Sequence, residues 1–215
     1  MGCARRASQT HASRLQPSVA VASYGMPNDT PAPPPDAATL HEAAVRYLAT
    51  YNATRATLAR ALNRIVDRWL RASAGDDAPA VAAAAKRAVP EVVARLVAAG
   101  AVDDAAFAQS RAKKLSRTGH SRTATAAHLA ARGVSAELVQ TAMPADEDSE
   151  LTAAVIYMRR RRLGPFRIAA PPPEAKHRDL GAMARAGFAG PVARRALALA
   201  PEEAEAALLK ARRGT

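Results

Sequence analysis

LVAAGAVDDAAFAQSRAKKLSRTGHSRTATAAHLAARGVSAELVQTAM, residues 96–143, decides how the chain is read. Helical patterns follow one another here, punctuated by Gly100-Ala101-Val102, Thr118-Gly119-His120 and Arg132-Gly133-Val134. Asp103 or Asp104 supplies a helix cap, and both favour the positive end of the helix that follows. Phe107, Ala108, Arg111 and Leu115 fall on adjoining turns of that helix. Aromatic residues are only 4% of the chain, so the Phe107 ring is expected to anchor the local core. Gly119 breaks the pattern, and Ser121 can cap a second helix over 122–131 with Leu129 inward. Gly133 stops it, and Ser135 starts a third helix with Leu138, Val139, Ala142 and Met143 inward.

Working outward, a shift of 54 residues lays part of this unit on a later one. Leu129 lands on Met183, Gly133 on Gly187, Val134 on Phe188, Leu138 on Val192, Ala142 on Ala196 and Met143 on Leu197. An apolar position, a glycine stop, an apolar residue after it and a helix of matching phase recur together. A looser relative lies upstream, with helices expected over 38–51, 54–72 and 80–99; Pro90 interrupts the last or marks its start. Its inward residues are read as Leu40, Ala44, Tyr47, Leu48 and Tyr51, then Leu58, Leu62, Ile65, Val66 and Trp69, then Val92, Val93, Leu96 and Val97.

The expected fold is therefore all-α: tandem three-helix repeats in an elongated, curved array, with a disordered N-terminal tail. The expected boundaries are a basic, proline-rich tail over 1–37, repeats over 38–102, 103–144 and 149–200, and a short C-terminal helix or tail over 201–215. An acidic loop, 145–150, is expected between the second and third repeats. Gly164-Pro165 is expected to end the helix before it, and Pro171-Pro172-Pro173 to form a rigid connector.

Composition narrows the function. The 215 residues carry a formal charge of +12 and a sequence pI near 10.9, which asks for a polyanionic partner. Much of the 49% hydrophobic content is alanine, which favours thin, close-packed helices. Cys3 is the only cysteine, so neither an internal disulfide nor a cysteine metal cluster can form. No apolar run is long enough to span a bilayer, and Arg5-Arg6 is followed by polar residues rather than a signal core. The expectation is a soluble, cytoplasmic monomer with no membrane partner.

No catalytic constellation can be assembled. The chain has no GxxxxGK[ST] loop, no GxGxxG after a strand and no HExxH. His11, His41, His120, His128 and His177 are too scattered to hold a metal. Asp103 and Asp104 point about 100° apart on a helix, so capping explains them better than acid–base work. The expected protein is not an enzyme and uses no cofactor.

The basic residues carry more meaning. Over 103–143, six basic side chains oppose three acidic ones; over 150–199, ten oppose three. The candidate partner-binding residues are Arg111, Lys113, Lys114, Arg117, Arg122, Arg132 and the run Arg159, Arg160, Arg161 and Arg162. Four consecutive arginines exceed one helical turn, so they cannot share a face. Arg162 is expected to lay its stem over Met158, with Arg160 and Arg161 projecting outward. A solvated helix end is the bland explanation of that run, and the charge of the whole chain tips the balance toward polyanion binding. With no interleaved aromatics, contacts to phosphates or carboxylates are expected rather than base stacking.

Leu96 and Gly100, Asp103-Asp104 with Phe107-Ala108, the loop at Gly119 with Arg122, and Leu129 followed by Arg132-Gly133-Val134 together resemble the RecX family of bacterial regulators of the RecA recombinase. Arg185-Ala186-Gly187-Phe188 resembles that family's later arginine–glycine–phenylalanine motif. The likeness covers about Leu40 to Leu199. It departs at Asn52, Thr54 and Thr57-Leu58, where the family opens its first unit with arginine and serine before glutamate–leucine. It departs again in the loop from Gly75 to Pro79 and at Pro171 to Pro173. The resemblance implies three-helix repeats that dock into the groove of a RecA filament on single-stranded DNA. It implies restraint of strand exchange, ATP hydrolysis and co-protease activity, within recombination, DNA repair and the SOS response, and no catalytic residue. Asp103, Asp104, Phe107, Gly119, Leu129, Gly133, Gly187 and Phe188 would be its structural motif. Two rival readings are a direct DNA- or RNA-binding protein, for which Gln140 is the only base-reading candidate in the second unit, and a scaffold for an acidic protein.

Overall fold

Alternating apolar and polar turns become ten α-helices among the described residues: α1 (Ala37–Thr50), α2 (Arg55–Ala72), α3 (Ala78–Ala98), α4 (Asp104–Arg117), α5 (Arg122–Ala131), α6 (Ala136–Ala142), α7 (Glu147–Arg161), α8 (Ala175–Arg185), α9 (Gly190–Leu197) and α10 (Pro201–Arg213). A computed structural model describes residues 33–143, 147–168 and 172–213. The expected disordered tail falls outside the described residues as far as residue 32, and Pro171 of the expected connector is outside them too. No strand occurs among the described residues.

Three hydrophobic clusters lie in chain order. Leu40, Leu58, Leu62, Val66, Val89, Val92 and Leu96 join α1, α2 and α3. Phe107, Ala108, Leu129, Val134 and Val139 join α4, α5 and α6. Val155, Met158, Met183, Phe188 and Ala196 join α7, α8 and α9. Ala204 and Leu208 of α10 enter this last cluster, so the C-terminal segment helps to cover it. The residues paired by the 54-residue shift take matching places: Leu129 and Met183 are fully buried, and Val134 and Phe188 nearly so.

Several local expectations are corrected. α3 runs unbroken through Pro90, whose side is exposed, so water can satisfy the carbonyl that loses its partner. Tyr51 is more than half exposed; it sits at the C-cap of α1, its ring tilted by 41° against that of Tyr47 with centroids 5.0 Å apart. The segment read as an acidic loop is helical from Glu147. α7 ends at Arg161, before Gly164-Pro165, which instead form a short 3₁₀ turn, Gly164–Phe166. Arg162 has φ 56°, and the Leu163 amide donates to the Met158 carbonyl at 2.9 Å. It thus takes the left-handed closing position that glycine usually fills, and it is exposed.

Neighbouring clusters meet through one device used twice. Thr54, the N-cap of α2, accepts a hydrogen bond from the Thr57 amide at 3.1 Å and donates to the Arg132 carbonyl at the end of α5 at 2.6 Å. The first amide of α2, at Arg55, donates to buried Asp104 at 2.9 Å. One joint further on, Ser121 accepts from the Ala124 amide at 3.1 Å and donates to the Ala186 carbonyl, ending α8, at 2.7 Å. The Arg122 amide donates to both oxygens of buried Glu150, at 3.2 and 3.0 Å. Helix ends leave amides and carbonyls unpaired, and each joint matches one helix start to one helix end. Thr54 and Ser121 are fully buried, so each lost bond costs about 1–3 kcal/mol.

The glycine after each of these helix ends makes the approach possible. Gly133 has φ 81° and Gly187 φ 85°, a region that costs other L-residues about 1–2 kcal/mol. A Cβ on Gly133 would lie 2.3 Å from the Ala56 Cβ, and one on Gly187 2.7 Å from the Ser121 Oγ. Gly100 has a similar φ of 71° but open space around it. Gly133→Ala should therefore lower stability by more than Gly100→Ala, which should cost about 1 kcal/mol, the backbone strain alone. Urea denaturation of the two variants measures the difference; equal losses would show that the close approach at Gly133 contributes nothing.

Candidate functional site

The candidate basic residues fall into two groups, placed by the helix ends that carry them. Arg111 and Arg132 are half-buried. Arg111 donates its Nε–H to Nε2 of His128 at 3.0 Å, which requires that nitrogen to be unprotonated. Burial, and then the charges of Arg111, Arg132 and His120, hold the His128 imidazole below its ordinary pKa. These residues make up the first group, on α4 and α5.

The second group straddles the joint between α4 and α7. Arg160 donates to the Thr118 carbonyl at 3.0 Å, and its guanidinium lies 5.7 Å from the centre of the Tyr157 ring. That bond sets the C-terminal end of α7 beside the C-terminal end of α4, where Lys114 and Arg117 are exposed. Gly119 fits between them: a Cβ there would lie 2.8 Å from the Tyr157 nitrogen. Arg160 is thereby brought to the end of α4, and Lys114, Arg117 and Arg161 are exposed on the same two helix ends. Lys113 is exposed one position round from Lys114. Part of this charge complements the negative ends of the two helices, and the rest faces water.

The remaining candidates behave differently. Arg159 pairs with Glu205 of α10 at 3.6 Å, so some of its charge is already met. Arg122 commits its backbone amide to Glu150 while its side chain is exposed. Arg162 is exposed at the left-handed turn. Arg167, which swells the basic tally over 150–199, is a structural residue: its guanidinium grips buried Asp179 at 2.6 and 2.8 Å, while the Gly164 amide donates to the same carboxylate at 2.9 Å.

The structural-motif residues occupy the joints and the middle core. Asp103 caps α4 through the amides of Ala105 and Ala106 at 2.8 and 3.0 Å. Asp104 turns instead to the start of α2, a role that nothing local in the sequence announces. Glu150 has the corresponding role at α5, and burial raises its pKa against the lowering effects of the Arg122 amide and charge. Sequence reasoning also passed over α2, whose exposed Arg60, Arg64, Arg68 and Arg71 recur at spacings of four, four and three. No group of three or more potential metal ligands occurs among the described residues, and none of the described helices is long and apolar enough to cross a membrane.

Together these features define an all-helical repeat protein that presents basic helix ends at its joints. A family model described as RecX, second three-helix domain, matches residues 103–143, which hold α4, α5 and α6. The regulatory protein RecX of Myxococcus xanthus (strain DK1622) is 39% identical over 161 residues, covering 74% of this chain and 83% of that protein. The regulatory protein RecX of Agrobacterium fabrum (strain C58 / ATCC 33970) is 36% identical over 89 residues, 41% of this chain and 47% of that protein. The chain belongs to the RecX family.

The His128 environment predicts a pH effect with a definite sign. Its folded-state pKa lies below the ordinary value, so folding favours the neutral ring. The stability it contributes is complete above the ordinary histidine range, near 6.5, and is lost as pH falls below it. His128→Gln keeps an acceptor for Arg111 and should flatten the fall in urea midpoint between about pH 7 and about pH 5.5. An unchanged pH slope would mean that the ring does not sense Arg111 and Arg132.

Proposed function

We propose that this protein regulates the RecA recombinase by binding its filament on single-stranded DNA, chiefly as an inhibitor, and performs no catalysis of its own. Such a regulator works in the cytoplasm, within recombination, DNA repair and the SOS response. Family membership supports the regulatory class. The observation that supports this choice of surface is the Arg160–Thr118 bond, which sets the end of α7, with exposed Arg160 and Arg161, beside the end of α4, with exposed Lys114 and Arg117. A RecA filament with its bound strand offers phosphates and carboxylates, for which guanidinium groups are suited by geometry as well as charge. Arg111, Lys113, Arg122, Arg132, Arg159 and Arg162 extend the same basic surface.

Charge complementarity of this kind governs encounter and orientation as much as final affinity. The action is then that of a basic body lodged against the filament, which hinders its extension or strand exchange. The test is RecA-dependent ATP hydrolysis on single-stranded DNA with this protein added below stoichiometry. The wild-type chain should inhibit. Lys114→Glu, Arg117→Glu and Arg161→Glu combined should weaken inhibition by about tenfold or more, since reversing rim charges costs several kcal/mol. Arg160 is left in place because it holds the Thr118 carbonyl. Thermal melts should match the wild type; full inhibition by the triple variant would move the contact elsewhere.

A further inference from the structure

Apart from Arg55 and Arg60, the arginines of α2 belong neither to the joints nor to the surface assigned above. At 100° per residue, Arg60, Arg64, Arg68 and Arg71 fall within an arc of about 80°, on the side away from Leu58, Leu62 and Val66. All four are exposed. The row climbs about 6 Å for every four residues, about 16 Å in all. Arg60 gives both terminal nitrogens to the Ala131 carbonyl at 3.2 and 3.3 Å, which ties one end of the row to the end of α5 beside Arg132. Arg64, Arg68 and Arg71 make no ion pair or hydrogen bond among the described residues. The one carboxylate on this side of α2, Asp67, is held by Lys86 of α3 at 2.6 Å.

Like charges at i and i+4 on one exposed helix face repel one another. They are compensated when an anion lies along them. We propose that the outer face of α2 is a second binding surface, for the sugar–phosphate backbone of nucleic acid, carried by Arg64, Arg68 and Arg71 and linked through Arg60 to the surface on α5.

The chemistry of the row selects that occupant over an acidic protein. Protein interfaces draw their free energy from desolvated aromatic and aliphatic anchors. The positions between these arginines offer Asn63 and Asp67, while Trp69 packs inward against the first core. A phosphate backbone needs only cations at regular spacing, and contributes affinity without reading sequence. With no outward aromatic ring on α2, stacking on bases is not available, so binding should be indifferent to base composition.

The proposal is independent of the RecA reading and is tested without RecA. Anisotropy of a fluorescein-labelled oligothymidylate is titrated with the full chain from about 50 to about 200 mM salt. Each phosphate contact to a single strand contributes about 0.7 to the slope of log affinity against log salt. R64Q/R68Q/R71Q should therefore lower that slope by about 2 and weaken binding more than tenfold at the lower salt. R64K/R68K/R71K should keep most of the slope, because charge rather than fork geometry drives it. Thermal melting should be unchanged or raised in both variants. Unchanged slope and affinity in the glutamine variant would overturn the proposal, as would no oligonucleotide binding by the wild type.

Discussion

At each joint, a buried hydroxyl faces a helix-ending carbonyl while a buried carboxylate faces a helix-starting amide. Thr54 with Asp104 makes one copy, and Ser121 with Glu150 the other. The small cores leave this device much to do. An alanine-rich unit such as α4–α6 relies on Phe107, Leu129, Val134 and Val139 for most of its apolar burial. A core that thin cannot bear unpaired backbone groups at its edges, since each would cost about 1–3 kcal/mol. The joints remove that penalty and fix the direction in which each cluster meets the next.

The candidate surface follows from the same constraint. Because Glu150 holds the start of α5 and Gly119 admits the backbone of α7, the C-terminal ends of α4 and α7 come to lie side by side. Basic residues more than forty positions apart in the chain are thereby carried on adjoining helix ends. The positive ends of α2 and α5 are used up internally by the carboxylates of Asp104 and Glu150. Helix starts therefore build the molecule, and basic helix ends and flanks are left to meet an anionic partner.

Much of this was legible in the sequence where the cause is local. Helical periodicity, the caps at Thr54, Ser121 and Ser135, and the glycine turns at Gly133 and Gly187 are all written within a few residues of where they act. The family likeness rested on these same residues. What could not be read depends on distant partners. Asp104 looks like a helix cap, and only the fold shows that it serves α2, 49 positions away. Arg160 looks like a free cation but spends a hydrogen bond on Thr118. Pro90 and Arg162 go against local preference, and surrounding structure decides them: exposure relieves the first, and a closed turn holds the second. Arg167 is likewise counted as free charge until Asp179 is seen beneath it.

The paired helix ends are closed by the joints rather than by solvent. Native-state hydrogen exchange at the backbone amides of Arg55 and Arg122 tests it most directly. First-turn amides ordinarily exchange almost freely, because they have no partner within their own helix. Held by Asp104 and Glu150, both should instead exchange only with opening of the joints, at rates close to those of the amides in the middle of α2 and α5. Rapid exchange at both positions, matching the exposed first turn of α10, would contradict the account.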